Sequence, residues 1–409
     1  MLSTIEALPP EINLNVVKSL SREDQLAYSL VSHTTRQLAI PSIFRSCNLT
    51  WSFGNKKLDE LMNIGRDIKT AITTLTVSPL LCKQAEQSQK LLCALEALPN
   101  ISSLHIDDYY THLLRPELKS KLSSLAAVLF AVRNTPLQDL HISLAGETEI
   151  DVPPFSGPAG LNSCNIEWRA RDDASPRRMV EYLYTFIHPS LGNLRHLSIL
   201  DYDHHRNGAP PATPSPIFDL RGLHPACTRM RKFACTTTSQ DTQVLAVFAE
   251  MFPDLTNLNV CFDGYRRYRW AVWTNECLQA LSLFPNLRLL KLGIDLELEA
   301  KDWLMDDRDI AWYRRCFLRR FEVTKLIAEV CPLLQRCKWK QLSIDSEGND
   351  QEFEFVVAEE NVSSGRSRVV KPIKLWWMSS RYHDALGGEL PDDMIEEDRV
   401  DSLRIWRRH

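Results

Sequence analysis

A short apolar pattern recurs nine times between residues 72 and 339. Each copy has an apolar residue, two residues of any type, a second apolar residue, one residue of any type and a third apolar residue. Successive copies begin 24 to 47 residues apart, which is the scale of a structural repeat. One such unit cannot bury its own apolar face, whereas stacked units share a continuous core. The copies are Ile72-Leu75-Val77, Ile101-Leu104-Ile106, Leu137-Leu140-Ile142, Leu161-Cys164-Ile166, Leu194-Leu197-Ile199, Met230-Phe233-Cys235, Leu255-Leu258-Val260, Leu287-Leu290-Leu292 and Leu334-Cys337-Trp339.

The spacing inside each copy predicts a short strand, because the second and third apolar residues alternate onto one face. Helical patterns lie between the copies, for example at residues 89–98 and 241–251, and a proline-containing turn precedes several strands. The order of helix, turn and strand predicts an irregular α/β solenoid over residues 51–345, right-handed, with a parallel sheet on its concave side. The alternative is a conventional α/β domain whose strands share the pattern.

The remaining segments differ in composition. Residues 145–160 and 203–216 are rich in Pro, Gly and polar residues, so we expect loops that leave the body of the repeats. Residues 352–357 and 369–370 indicate a β pair within a β-rich cap at 346–386, with Trp376 and Trp377 covering the end of the solenoid. Residues 387–409 are acidic at their start and are predicted to form a flexible tail.

The N-terminal segment, residues 8–45, reads as three short amphipathic helices. It is too short to build a self-sufficient core, and it has no metal or disulfide framework, so a partner surface is the natural way to complete it. The alternative is a helical hairpin packed on the residues that follow. The signals are Pro9 and Pro10 at the first helix, a stripe of Ile12, Val16 and Leu20, Ser21 with Asp24 as a capping pair, an apolar face of Leu26, Leu30 and Val31, Ser32 as a third cap, and an end before Pro41.

This ordered set of residues resembles the F-box, the adaptor-binding module of cullin-type ubiquitin ligases. Its LPPEI opening, SLVS centre and P-x-x-F-R end are similar to the fungal variety, and the likeness covers about a tenth of the chain. Asn13 and Asn15 stand at positions often more apolar or acidic in the family, and Tyr28 is bulky. The matching residues are Leu8, Pro9, Pro10, Glu11, Ile12, Leu20, Asp24, Ser29, Leu30, Val31, Ser32, Arg36, Leu38, Ala39, Pro41, Phe44 and Arg45.

The resemblance implies an F-box at residues 1–50 followed by the degenerate leucine-rich repeats found beside F-boxes. It also implies the partners, which are a Skp-family adaptor, a cullin ligase reached through it, and an unidentified protein target held by the repeats. The implied function is that of a substrate receptor in a ubiquitin ligase, and the alternative is a non-catalytic scaffold acting outside ubiquitin transfer. The implied adaptor-binding residues are Leu8, Pro9, Pro10, Ile12, Val16, Leu20, Leu26, Leu30 and Val31.

Composition limits the other functional classes. The chain of 409 residues is 44% hydrophobic and 24% charged with a formal charge of −4, which is ordinary for a globular protein. No apolar run is long enough to span a bilayer, so no membrane partner is expected. Eleven cysteines without a C-x-x-C pattern, together with an N-terminus unlike a signal peptide, indicate a reduced cytoplasmic or nuclear location.

No catalytic or cofactor motif is recognisable, so neither an enzyme nor a cofactor is expected. The chain has no phosphate loop, no G-x-S-x-G and no H-E-x-x-H. The run from Asp201 to His205 is better explained as a solvated turn than as a metal site, and Cys331 and Cys337 as buried structural thiols.

Two arginine groups are the remaining candidates for binding. Arg314, Arg315, Arg319 and Arg320 belong to a predicted helix, where solvated arginines beside inward-packed aromatics are the simpler reading. We do not expect nucleic acid. A loop after the seventh copy interleaves cations with aromatics and is the candidate target-binding segment. Its residues are Tyr265, Arg266, Arg267, Tyr268, Arg269 and Trp270.

Overall fold

The structure is a computed structural model of the chain. It describes residues 8–49, 54–77, 85–107, 122–145, 155–169, 183–201, 227–237, 242–262, 272–294, 296, 310–344, 350–362 and 365–373. Two compact units divide the chain. Unit 1 comprises Met1–Leu194 with Asp201–His205, and unit 2 comprises Arg195–Leu200 with Arg206–His409. The described ranges hold α-helices, among them a helical stretch at 183–187, and twelve strands, which confirms the prediction of a mixed α/β fold.

Unit 1 begins with three helices, α1 (Pro10–Ser19), α2 (Arg22–Ser29) and α3 (His33–Ile43). The Ser21 hydroxyl accepts the Asp24 N–H at the start of α2. A capping box of Ser32 and Thr35 starts α3. The predicted end before Pro41 is wrong, because α3 continues to Ile43 and the Phe44 N–H donates to Ile40 O at 3.0 Å. The proline lies in the last turn, and Gln37, whose carbonyl the missing N–H of Pro41 would have bonded, is exposed.

The rest of unit 1 alternates helices and parallel strands. The strands pair in chain order, and each one pairs with its neighbour in parallel. β1 was not predicted from the sequence, since its four residues lack the repeated pattern. The elements are β1 (Ser46–Leu49), α4 (Gly54–Asn63), α5 (Arg66–Ala71), β2 (Thr74–Val77), α6 (Ala85–Glu96), β3 (Ser103–Asp107), α7 (Leu122–Val132), β4 (Asp139–Ala145) and β5 (Ser163–Arg169).

The register of these strands aligns the apolar residues of successive copies. One buried row runs through the second apolar position, and a second row runs through the third. The first apolar position of every copy is also buried. The rows are Leu75, Leu104, Leu140, Cys164 and Val77, Ile106, Ile142, Ile166.

Unit 2 repeats this arrangement. Strands β6 to β10 are parallel and pair in chain order, with the same two apolar positions aligned. All nine sequence copies therefore lie at strands. The elements are β6 (His196–Asp201), β7 (Lys232–Thr237), α8 (Val244–Met251), β8 (Asn257–Phe262), α9 (Asn275–Ser282), β9 (Leu289–Gly293), α10 (Ile310–Val330) and β10 (Arg336–Ile344).

A repeated backbone hydrogen-bond pattern joins successive strands: two successive N–H groups donate to one carbonyl at the start of the preceding strand. The carbonyl of Thr73 accepts N–H groups from Ser102 and Ser103 at 2.9 and 3.0 Å, and the carbonyl of Ser102 accepts the next two. In unit 2, Arg231 O accepts Thr256 and Asn257 N–H groups at 2.9 and 3.0 Å. Because the contact recurs at the same place before β2 to β5 and before β7 to β10, one structural step is repeated along each unit.

A β-hairpin ends the described part of unit 2. β11 (Asp350–Val362) and β12 (Gly365–Pro372) are antiparallel, and β11 pairs antiparallel with β10. The β pair indicated by residues 352–357 and 369–370 is therefore present and is longer than predicted. Phe353 and Phe355 are buried against Phe317 of α10, with ring centroids 6.1 and 5.5 Å away.

One predicted loop behaves differently from the expectation. Of residues 145–160, Ala145 belongs to β4 and residues 155–160 are described. They stay on the body of unit 1, because the Phe155 and Phe186 rings are 5.8 Å apart and Gly157 N–H donates to Phe186 O at 3.1 Å. Residues 203–216, Trp376, Trp377 and residues 387–409 lie outside the described residues.

Candidate functional site: the N-terminal helices

A small apolar core holds the three N-terminal helices together. Val17 of α1, Tyr28 of α2, and Ala39 and Ile43 of α3 are buried in one cluster. Leu20 and Phe44 pack against it, and both are half-buried. The face of α1 that turns to this core therefore carries Val17 and Leu20, whereas the predicted stripe of Ile12, Val16 and Leu20 is divided between the core and the surface.

Polar side chains inside this core fix the first two helices. Asn13 is only 3% exposed, and its Oδ1 accepts a hydrogen bond from Tyr28 Oη at 3.3 Å. Asn13 Nδ2 donates to Leu8 O at 3.1 Å. Gln25 Nε2 donates to Val17 O at 2.9 Å and so reaches from α2 to the end of α1. Asn13 of α1 and Tyr28 of α2 are therefore hydrogen-bonded to each other.

The outer surface of these helices carries a concentration of large apolar side chains. Six of the twelve large apolar side chains exposed among the described residues fall between residues 8 and 31. Leu30 is 83% exposed and Val31 is 61% exposed, the two highest values of the twelve. Such a concentration is typical of an interaction surface rather than of scattered surface residues. We call these six side chains the exposed apolar set: Leu8, Ile12, Val16, Leu26, Leu30 and Val31.

The exposed apolar set follows helical spacing. Leu8, Ile12 and Val16 are four residues apart along α1 and its start, and Leu26 and Leu30 are four apart along α2. Side chains at this spacing lie on one side of a helix. Pro9 and Pro10 are exposed beside Leu8. Of the nine residues predicted to bind an adaptor, only Leu20 is partly withdrawn into the helical core.

The predicted target-binding segment, residues 265–270, lies wholly outside the described residues. In the other arginine group, Arg320 is 1% exposed and its guanidinium lies 5.1 Å from the Phe353 ring centroid. Arg319 Nη1 donates to Leu296 O at 3.3 Å. The expectation of solvated arginines is therefore wrong for Arg320, because α10 packs this face against the terminal hairpin.

Cysteines are buried where the sequence predicted structural thiols. Cys331 and Cys337 are fully buried, and burial raises the pKa of each thiol to about 12. Cys164 in β5 is likewise buried, with its pKa raised to about 12 by the same desolvation. A thiol with such a pKa is almost entirely protonated at neutral pH and is a poor nucleophile.

A polar cluster that the sequence analysis did not select lies on unit 1. His105 of β3 and His141 of β4 are neighbours, with ring centroids 4.1 Å apart. Asn165 of β5 continues the same row. Strand alternation places all three away from the buried rows, but their contact depends on the register between strands, which no local pattern reports.

The described residues hold neither a metal-binding cluster nor a membrane-spanning helix. No group of three or more His, Cys, Asp or Glu side chains among them is arranged to hold a metal ion. None of the helices in those ranges is both long enough and apolar enough to cross a membrane.

Comparison with known proteins leaves the chain unassigned. No protein-family model and no curated protein matches it. Among the solved structures that match is a crystal structure of a protein from Bacteroides fragilis, a structural-genomics target. The two chains are 14% identical with a TM-score of 0.35, over 63% of this chain and 70% of the other.

Proposed function

We propose that this protein is an F-box-type substrate receptor, which binds a Skp-family adaptor through α1 and α2 and thereby joins a cullin-type ubiquitin ligase. The observation that carries the proposal is the exposed apolar set. Complete burial of one such side chain is worth about 1.5–3 kcal/mol, so covering the exposed parts of six supplies on the order of 5 kcal/mol before the costs of association.

The internal bonds of the helices support the same reading. Asn13, Tyr28 and Gln25 fix α1 against α2 without help from the exposed side. Leu30 and Val31 follow directly after α2, where Leu30 closes the helix with helical backbone angles. The exposed apolar set therefore lies on helices that are already fixed against each other, which reduces the conformational entropy lost on binding.

The remainder of the chain would act as the receptor. We infer that the aligned strands of each unit belong to an irregular leucine-rich-repeat solenoid, because the two buried rows and the two-donor backbone contact recur at each step. Such a receptor contributes proximity: it holds target lysines near a ubiquitin-charged enzyme and needs no nucleophile of its own.

The test is capture of a purified Skp-family adaptor by the full chain carrying Leu30→Glu and Val31→Glu. We expect binding to fall by about tenfold or more, since two charges would be buried in the contact. The matched control is Leu283→Glu, because Leu283 also follows an eight-residue helix with helical backbone angles and is 55% exposed. The control should bind the adaptor as the unaltered chain does.

Two results would contradict the proposal. One is undiminished adaptor capture by the double variant, and the other is no capture by the unaltered chain. A second variant, Leu8→Ala with Pro9→Ala, tests the start of α1 without adding charge. Reconstituted ubiquitylation of co-purified partners then separates a ligase receptor from an adaptor-bound scaffold, because only the receptor yields modified partners.

A further inference from the structure

The cluster on β3, β4 and β5 is built into the regular register of unit 1. His105 is paired with His141, and His141 with Asn165, so the three side chains form one row across neighbouring strands. The row lies on the face opposite the buried apolar rows. All three residues are half-buried, and Glu167 lies two residues beyond Asn165 on the same face.

The amide of Asn165 joins this row to a carboxylate. Its Nδ2 lies 2.7 Å from His141 Nδ1 and donates to Glu167 Oε1 at 3.3 Å. Asn165 Oδ1 is buried and has no hydrogen-bond partner among the described residues. Turning the amide over would bring that oxygen against the Glu167 carboxylate, so the Glu167 carboxylate fixes the amide nitrogen where it is.

This geometry defines the protonation state of His141. Because Asn165 Nδ2 is a donor, His141 Nδ1 must accept, and the ring proton is on Nε2. A second proton could enter only at Nδ1, where it would point at an amide that also donates. Protonation therefore breaks the 2.7 Å contact.

Burial and neighbouring groups shift the pKa of His141 in opposite directions. Burial lowers the pKa of His141 most, and His105 lowers it further, whereas Glu167 and Asp107 raise it. These groups come from β3 and β5, and Asp139 stands two residues earlier on β4 itself. The net direction is downward from the ordinary value.

We propose that His141 and Asn165 form a pH-sensitive latch between β4 and β5, closed while His141 is neutral and opened by its protonation. Opening releases the Asn165 amide, frees Glu167 and places a positive charge beside His105. The latch would therefore change both the charge and the order of this face of unit 1. It does not depend on the proposed adaptor contact and would operate in a protein with any function.

The pH dependence of stability follows from the lowered pKa of His141. The unfolded chain binds a proton at His141 near the ordinary value of about 6.5, while the folded chain binds it only at lower pH. The latch thus contributes stability that is fully present above the unfolded value. That stability is lost as the pH falls through the unfolded value toward the folded one.

The first measurement is the tautomer and titration of His141 by imidazole nitrogen NMR on the full chain, assigned by comparison with His141→Gln. At pH 7.5 we expect a neutral ring protonated on Nε2, and a titration midpoint below that of an unfolded reference peptide. A ring protonated on Nδ1, or a midpoint at or above that of the peptide, would overturn the proposal.

The second measurement is amide hydrogen exchange in β4 and β5 at pH 7.5 and pH 5.5, corrected for the intrinsic pH dependence. The opening equilibrium should rise about fivefold in the unaltered chain, the size expected for one lost hydrogen bond. His141→Gln should abolish the response, and Asn165→Asp should reverse it, because a carboxylate accepts from protonated His141. His33→Gln, at an exposed histidine of α3, is the control and should leave the response intact. An equal response in His141→Gln refutes the latch.

Discussion

Asn13 and Tyr28 form a buried hydrogen bond that their residue types alone do not predict. An asparagine and a tyrosine in a short apolar helix pattern suggest weakened packing, yet Asn13 Oδ1 accepts from Tyr28 Oη across α1 and α2. A buried polar group without its partner costs more than the bond itself contributes. The effect of each residue on stability therefore depends on the presence of the other.

Tyr28→Phe tests this dependence. It should destabilise α1 by about 1–2 kcal/mol, because the buried hydrogen bond from Tyr28 Oη to Asn13 Oδ1 is lost. Hydrogen exchange of the α1 amides measures the change directly. Adding Asn13→Leu to Tyr28→Phe should recover part of the loss, since the buried Asn13 Oδ1 is then removed while the exposed Leu8 loses its hydrogen bond from Asn13 Nδ2. Unchanged α1 protection in Tyr28→Phe would show that the bond contributes nothing.

Most elements were predictable from the sequence because their signals are local. The nine apolar copies mark strands by alternation, and Ser21 and Ser32 mark helix starts through side chains three residues from their partners. β1 and the passage of α3 through Pro41 were not predictable, because both depend on neighbours. β1 forms because it pairs with β2. Helix α3 continues through Pro41 because the proline, which lacks an N–H to donate within the helix, lies in the last turn next to the exposed Gln37.

The candidate surface was predictable in membership but not in orientation. Ile12, Val16 and Leu20 share one periodic stripe in the sequence, and only packing decides which of them turn inward. Val17 and Asn13, which is hydrogen-bonded to Tyr28, face the helical core, so Ile12 and Val16 stay exposed. The histidine row was missed for a related reason, because its contacts join residues on separate strands.

Arg368 of β12 fastens the end of α10. Its Nη1 donates to the carbonyls of Ala328 and Cys331, and its Nη2 donates to Leu334 O at 2.6 Å. The last carbonyls of a helix have no partner within the helix, so the guanidinium satisfies the Ala328 carbonyl in the last turn of α10. It also reaches the carbonyls of Cys331 and Leu334, which lie just beyond that turn. The fork of the arginine thus joins the terminal hairpin to the helix beside it.

Arg368→Ala should lower the free energy of unfolding of unit 2 by about 2–3 kcal/mol, because charge-assisted bonds to buried carbonyls are lost. Urea titration followed by hydrogen exchange in α10 measures it. Arg368→Lys should recover only part, since an ammonium lacks the planar fork. Lys371→Ala, which removes an exposed ion pair with Glu360, is the control and should cost less than 1 kcal/mol. Equal effects of the two alanine variants would contradict this role for Arg368.

Across the whole molecule, one structural step accounts for both units. In each, a strand places two apolar residues in buried rows and its leading backbone binds the strand before it. A stack of this kind leaves an open edge at each end, and an exposed strand edge favours aggregation unless it is covered. In unit 2, β11 covers the edge of β10 in the antiparallel sense.

Removing the terminal hairpin should therefore cost solubility rather than local stability alone. A chain ending at residue 344 loses β11 and β12, which uncovers the edge of β10 and the side of α10 that holds Phe317. We expect it to aggregate, as measured by light scattering and size-exclusion chromatography of freshly purified protein. The matched control ends at residue 373, keeps the hairpin and lacks the segment after it. It should behave as the full chain does. If the chain ending at 344 were monomeric with unchanged hydrogen exchange in β9 and β10, the hairpin would have no capping role.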